Sequence, residues 1–189
     1  MPKRRTLLSA CAASLLTGAS LTLPRQALAQ AAPPAELATE LPGALWAGSA
    51  RMRFFGLDVY DTTLWVAPGF RAGSYAQHDL ALALTYLRGL SGRAIAQRSL
   101  KEMGRLGDIS PESAQRWLAA MLAAFPDVKV GDRITGLHSP AAGARFWHNG
   151  QPRAAIRDPE FSRLFFGIWL SESTSEPQLR SALLAQTRP

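Results

Sequence analysis

From Leu45 to Pro68 the chain is dominated by aromatic and β-branched residues. Arg51-Met52-Arg53-Phe54-Phe55 is followed by a break at Gly56-Leu57-Asp58 and then by Val59-Tyr60-Asp61-Thr62-Thr63-Leu64-Trp65-Val66. That composition around a Gly/Asp break predicts a β-hairpin. Leu80 to Leu87 alternates small and large apolar residues and predicts a third strand, with a helix still open for the same stretch. Gly92 to Arg105 carries Ile95, Leu100 and Met103 among polar residues and stops at Gly107-Asp108, as a helix does. Ser110-Pro111-Glu112 supplies a hydroxyl cap, a proline at the first helical position and an acid in the first turn. Trp117, Leu118, Met121, Leu122 and Phe125 then recur on one apolar helical face, which reads as core.

Beyond Pro126-Asp127 the pattern returns to strands over Asp132 to Leu137, Ala144 to Trp147 and Arg153 to Ile156. His148-Asn149-Gly150 between the last two contains the Asn-Gly pair that gives a tight hairpin its positive φ angles. Asp158-Pro159-Glu160 starts a helix running through Leu170, and a last helix from Pro177 to Ala185 is expected to be capped by Thr174 or Ser175. The order is two or three strands, two helices, three strands, two helices. Grouped helices argue for an α+β domain in which an antiparallel sheet carries a helical layer.

The N-terminus has a different character. Lys3-Arg4-Arg5 precedes an uncharged run, Leu7 to Leu23, rich in Leu, Ala, Ser and Thr, and Ala27-Leu28-Ala29 supplies a small-x-small site. Residues 1–29 therefore read as a signal peptide cut before Gln30, and the protein as periplasmic or secreted. Arg4-Arg5-Thr6-Leu7-Leu8 resembles a twin-arginine signal. The five residues between Arg5 and Cys11 are too few for the apolar region of a lipoprotein signal. The apolar run is also too short and too diluted for a span of about 20 residues, so no stable membrane span is expected after processing. Residues 30–42, with Pro33-Pro34 and many alanines, read as a flexible lead-in to a domain over 43–189.

Processing changes the charge and the chemistry. Removing Lys3, Arg4, Arg5 and Arg25 lowers Lys+Arg from 21 to 17 against 14 Asp+Glu, and the net charge from +7 to +3. The remaining arginines are scattered among acids, which argues against nucleic acid. Cys11, the only cysteine, leaves with the signal, so no disulfide or thiolate chemistry is expected. His78, His138 and His148 lack metal-ligand spacing, Gly89-Leu90-Ser91-Gly92 is not a nucleophile elbow, and no phosphate-binding glycine motif occurs. Gly131-Asp132-Arg133 reads as a turn. No metal or nucleotide cofactor is expected.

The polar groups set among aromatics are Arg51, Arg53, Tyr60, Asp61, Thr62 and Thr63, with Tyr86 on a neighbouring strand. An arginine fork beside a tyrosine hydroxyl at an apolar pocket can hold a carboxylate or enolate oxygen. The same arginines also fit the solvated face of an edge strand.

Val59 to Val66, Ala123 to Arg133, His148-Asn149-Gly150 and Phe165 to Leu170 with Pro177-Gln178-Leu179-Arg180 occur in an order that resembles the bacterial chalcone-isomerase-like family. The resemblance implies an open-faced β-sandwich, a curved antiparallel sheet packed against a layer of helices with a ligand cleft between. It also implies two activities: cyclisation of a chalcone in the plant enzymes, and fatty-acid binding through an arginine and a tyrosine in non-catalytic members. Arg51 or Arg53 matches the plant arginine, and Asp61 or Thr62 falls near the strand threonine. The catalytic tyrosine, asparagine and later threonine fall near Ile95, Glu102 and Ile168, so three of five polar groups are lost. A chalcone could not be polarised without those donors. The expectation is a non-catalytic protein binding a small apolar ligand with an acidic, fatty-acid-like head. An intramolecular lyase and an envelope interaction module without a small ligand are the alternatives.

Overall fold

The computed structural model describes residues 32–187, and the expected signal at residues 1–29 lies outside them. Strands β1 (Leu45–Phe54), β2 (Leu57–Val66), β3 (Leu80–Tyr86), β4 (Arg133–Ser139), β5 (Gly143–His148) and β6 (Gln151–Ile156) each pair antiparallel with the next. The result is an open, curved, six-stranded meander with helices packed on it. Leu80 to Tyr86 is a strand, not a helix. The first hairpin turns at Phe55-Gly56, one residue earlier than the Gly56-Leu57-Asp58 break predicts, and Leu57 already pairs with Phe54.

Before the sheet lies α1 (Ala35–Glu40), and after β3 come α2 (Gly92–Met103) and α3 (Pro111–Ala124). Helices α4 (Pro159–Leu170) and α5 (Pro177–Leu183) follow β6. The caps are local. Ser91 accepts from Ala94 N, Ser110 from Ser113 N, and Asp158 from Glu160 N and Phe161 N. Neither Thr174 nor Ser175 caps α5. Glu176 holds that position without a side-chain bond, and Thr174 Oγ1 instead donates to Ile168 O at 2.6 Å and accepts from Glu176 N. Gly92 is required where α2 meets the end of α3, because a Cβ there would collide with the Phe125 carbonyl. Among the described residues, no helix is long and apolar enough to cross a membrane.

Alternation along the strands divides the sheet into two faces. Leu64, Leu82, Ile134 and Phe146 lie on the face that packs against Met103, Trp117, Phe161, Phe166 and Leu183 of the helices. The opposite face carries Trp65, Ala81, Leu137 and Trp147, and Leu37 and Leu41 cover them. The lead-in expectation is corrected over this stretch. Residues 35–41 are not free, because helix α1 buries Leu37 on the second face and Glu36 accepts a hydrogen bond from Thr135 Oγ1 at 2.6 Å. Arg133 adds an ion pair to Glu36 at 3.3 Å.

His138, buried between β4 and α4, has a fixed tautomer. Its Nε2 lies 3.1 Å from the Ala76 carbonyl, which can only accept, so Nδ1 accepts from Ser162 Oγ at 2.6 Å. Burial lowers the pKa, with the Ala76 bond and Asp79 opposing. The folded pKa is therefore below the unfolded one. The stabilisation from the neutral ring is complete above about pH 6.5 and is lost as pH falls toward the folded value. Urea titrations of His138→Gln and the parent are expected to show a smaller acid-side loss in the variant below that pH.

Candidate functional site

Between the sheet and helices α2, α4 and α5 lies a cavity of about 310 Å³, within the ~300–1,000 Å³ common for small-molecule sites. Its inner wall is apolar. Leu82, Leu84, Ile134 and Phe146 come from the sheet, and Phe165, Phe166, Ile168, Trp169 and Leu179 from the helices. Gly136 lies on the same wall because a Cβ would crowd Phe146 and Phe166 at 3.2 Å. The mouth is at the end of the sheet where β1 turns into β2 and β3 leaves, with Phe54, Val59, Arg88, Ala94 and Arg98 around it.

Tyr60 and Tyr86 are cross-strand partners on this wall, with ring centroids 5.9 Å apart. Trp169 Nε1 donates to the Tyr60 hydroxyl at 3.1 Å. Burial pushes the Tyr60 phenol up to about 12 and raises Tyr86 further. Both are neutral at physiological pH and can offer a hydroxyl proton to an anionic oxygen.

The cations come from elements that the sequence reading did not single out. Arg88 is exposed just beyond β3, and Arg98 is on α2 with its guanidinium 5.1 Å from the Phe54 ring centroid. Ile95, Arg98, Ser99 and Glu102 all line the cavity at positions i, i+3, i+4 and i+7 of one helical face. Glu102 is buried. Its Oε2 accepts from Arg105 at 3.3 Å and Ser175 Oγ at 3.0 Å, while Oε1 lies 2.9 Å from Arg98 Nε without receiving a directed hydrogen bond. Glu176 is the other acid in the lining.

The predicted site residues divide between the two faces. Tyr60 and Tyr86 line the cavity. Thr62 is fully buried on the same side of β2 but is not part of the lining, and its hydroxyl has no hydrogen-bond partner. Arg51, Arg53 and Asp61 are turned the other way, which corrects their expected role. Met52 and Tyr60 face the cavity, so the alternating Arg51 and Asp61 cannot. Arg51 donates to Asp61 at 2.6 and 2.9 Å and to Asp58 at 2.9 Å, and Arg53 donates to Asp58 at 2.7 Å. These bonds raise the Arg51 pKa, Asp61 contributing most, while Arg53 and then Arg51 lower that of Asp58. This exposed cross-strand network ties the β1–β2 hairpin together on the side away from the cavity. Thr63, also on the outer side, bonds Ser49 at 3.0 Å.

The sequence profile of the chalcone isomerase-like family matches residues 47–185, nearly all of the described fold. The chain belongs to the chalcone isomerase-like family. A fatty-acid binding protein of Arabidopsis thaliana has the same fold, with a TM-score of 0.59 at 15% identity over 76% of this chain and 87% of that one. No curated protein sequence matches the chain. In this chalcone isomerase-like fold Ile95, Glu102 and Ile168 all line the cavity. The family resemblance puts the plant enzymes' tyrosine, asparagine and later threonine near these three residues.

Proposed function

We propose that this chalcone isomerase-like protein binds one small apolar molecule with an acidic head in its sheet–helix cavity, without transforming it, and that it works outside the cytoplasm. The observation that carries the reading is the polarity gradient along the cavity. Leu82 and Phe166 are almost completely buried at the inner end, whereas Arg88 and Arg98 stand at an exposed mouth. An acyl chain gains by leaving water at the inner end, and a carboxylate keeps solvent and gains a guanidinium at the mouth. Tyr60 and Tyr86 are the neutral donors available to the second oxygen; the Tyr60 oxygen accepts from Trp169, which leaves its own proton free to donate. Two isoleucines at the expected donor positions support binding without catalysis, since a developing phenolate would find no hydrogen bond there. The fatty-acid binding of the Arabidopsis thaliana protein supports the same ligand class. The N-terminal pattern of charge, apolar run and small-residue site supports export; an intact mass beginning at Gln30 checks it.

Titration with a fatty acid and with the primary alcohol of equal length, read by tryptophan fluorescence with Trp169 in the cavity wall, tests the assignment. Arg88→Ala with Arg98→Ala is expected to weaken the acid about tenfold to a hundredfold, the magnitude of a charge-assisted hydrogen bond, and to leave the alcohol nearly unchanged. Arg51→Ala with Arg53→Ala is expected to change neither. Equal acid binding by the Arg88/Arg98 variant and the parent contradicts the proposed head-group site.

A further inference from the structure

The end of the sheet that holds the cavity mouth carries an exposed apolar tip. Among the described residues six large hydrophobic side chains are exposed: Leu45, Phe54, Phe55, Leu57, Leu122 and Val130. Four of them are at this one end. Phe54 (44% exposed), Phe55 (90%) and Leu57 (54%) form the β1–β2 turn, and Val130 (67%) lies in the connection entering β4. Phe55 stacks edge-on against Phe54 with centroids 4.5 Å apart, and Phe54 is itself part of the cavity lining. The outer apolar surface and the inner one are therefore continuous through a single ring.

The turn itself shows that Phe55 is not there for the fold. Phe55 and Gly56 have φ of 47° and 77°, and in the β5–β6 hairpin at the same end of the sheet Asn149 and Gly150 have 51° and 79°. Both are two-residue hairpins of one geometry, flanked by Phe54 and Leu57 in one case and His148 and Gln151 in the other. Asn-Gly suits these angles, whereas a bulky aromatic in the left-handed region is strained. At position 55 the chain thus combines an unfavourable backbone angle with a fully exposed ring. Strain and exposure of this kind mark interaction sites.

Arg88 lines the mouth with Phe54, Arg93 lies in the first turn of α2 beside the mouth residue Ala94, and Lys129 adjoins Val130; all three are exposed and take no part in the ion pairs formed among the described residues. Four of the acids nearby are engaged. Asp58 is bound by Arg51 and Arg53, Asp127 accepts from Gly92 N, Asp132 is held by Asn149 and Lys129 N, and Glu102 is buried with Arg98 and Arg105. Glu176 is the one other acid of the cavity lining.

From these observations we infer that the β1–β2 tip docks on a phospholipid bilayer, with Phe55 entering the acyl region and Arg88, Arg93 and Lys129 reaching the phosphates. Aromatic rings at the interface and cations at the headgroups are the chemistry such a surface selects. The continuity through Phe54 favours a bilayer over a protein partner, because an acyl ligand could then pass between membrane and cavity without crossing water. The inference deepens the proposed binding function, and it is tested by a readout that does not depend on the cavity being filled.

The test is co-flotation with vesicles of phosphatidylcholine and phosphatidylglycerol, comparing the protein isolated from its producing cells with Phe55→Asn carrying the same N-terminus. Asparagine gives position 55 the residue that position 149 already uses, so the variant is expected to melt at or above the parent temperature. Its vesicle binding is expected to fall about tenfold, the effect of one phenylalanine returned to water. Its content of solvent-extractable ligand after purification is expected to be unchanged. Equal flotation of variant and parent overturns the inference, as does a parent that stays in the vesicle-free fraction. Concentration-dependent self-association that Phe55→Asn abolishes, without flotation, overturns it in favour of contact between two copies. An empty cavity with Phe55-dependent flotation sinks the ligand proposal and leaves docking standing.

Discussion

Phe166→Ala is expected to destabilise the fold by roughly 3–5 kcal/mol, read as a lower urea midpoint at unchanged slope. Phe166 has no exposed surface and lies on α4 between the His138 ring, 5.4 Å away, and the Phe165 ring, 5.3 Å away. It also closes the inner end of the cavity over Gly136. Alanine removes both the transfer energy of the ring and the contacts of its neighbours, and the space joins a cavity that already exists, so collapse cannot recover the loss. The same deletion lengthens the ligand site. A folded Phe166→Ala protein is expected to prefer a longer acyl chain than the parent and to regain part of its stability when that ligand is present, since a ligand bound only by the native state stabilises it. A loss below about 1 kcal/mol would mean that the ring does not seal the cavity.

Leu37→Ala is expected to lower stability by about 2–5 kcal/mol, toward the smaller value because α1 is short and can settle onto the sheet. Leu37 is fully buried against the second face of the sheet, with Trp65, Ala81, Leu137 and Trp147. The change uncovers Trp65 and Trp147, so a red shift of native tryptophan emission should accompany it. If stability and emission both stay at parent values, residues 35–41 do not cover that face.

The contrast between α1 and the rest of the fold shows what the sequence could carry. Strand and helix patterns were legible where several residues repeat: Val59 to Val66, the Trp117–Phe125 stripe, and the Asn149-Gly150 turn each contain multiple concordant signals. Helix α1 has six residues, and Pro34 at its N-cap offers no side-chain bond, so the only trace of its buried side is Leu37 and Leu41 at i and i+4. Two leucines in an Ala/Pro-rich stretch do not separate a docked turn from a tether.

The site was legible only in part, for a reason of parity. Tyr60 and Tyr86 line the cavity, and aromatic hydroxyls on neighbouring strands stand out in the sequence. Arg51 and Arg53 were misassigned although Met52 and Phe54 alternate with them. Neighbours along a strand face opposite ways, and the apolar pair belongs to the cavity. Arg98 does not stand out among the polar residues of α2, and Glu102 and Ile95 are marked only by the family resemblance, yet with Ser99 they fall on one helical face, a spacing that could have identified the wall. Arg88 carries no local signal. It follows the last residue pair of β3, and only the fold brings it beside α2.

The central claim is that the cavity holds an apolar molecule with an acidic head, and the most direct test is solvent extraction of the purified protein followed by mass spectrometry of the extract. The account predicts one acidic lipid-like compound at near one equivalent per chain, depleted in the Arg88→Ala, Arg98→Ala protein and retained in the Arg51→Ala, Arg53→Ala protein. A parent protein that yields no such compound, and whose melting temperature does not rise with added fatty acid, would contradict it.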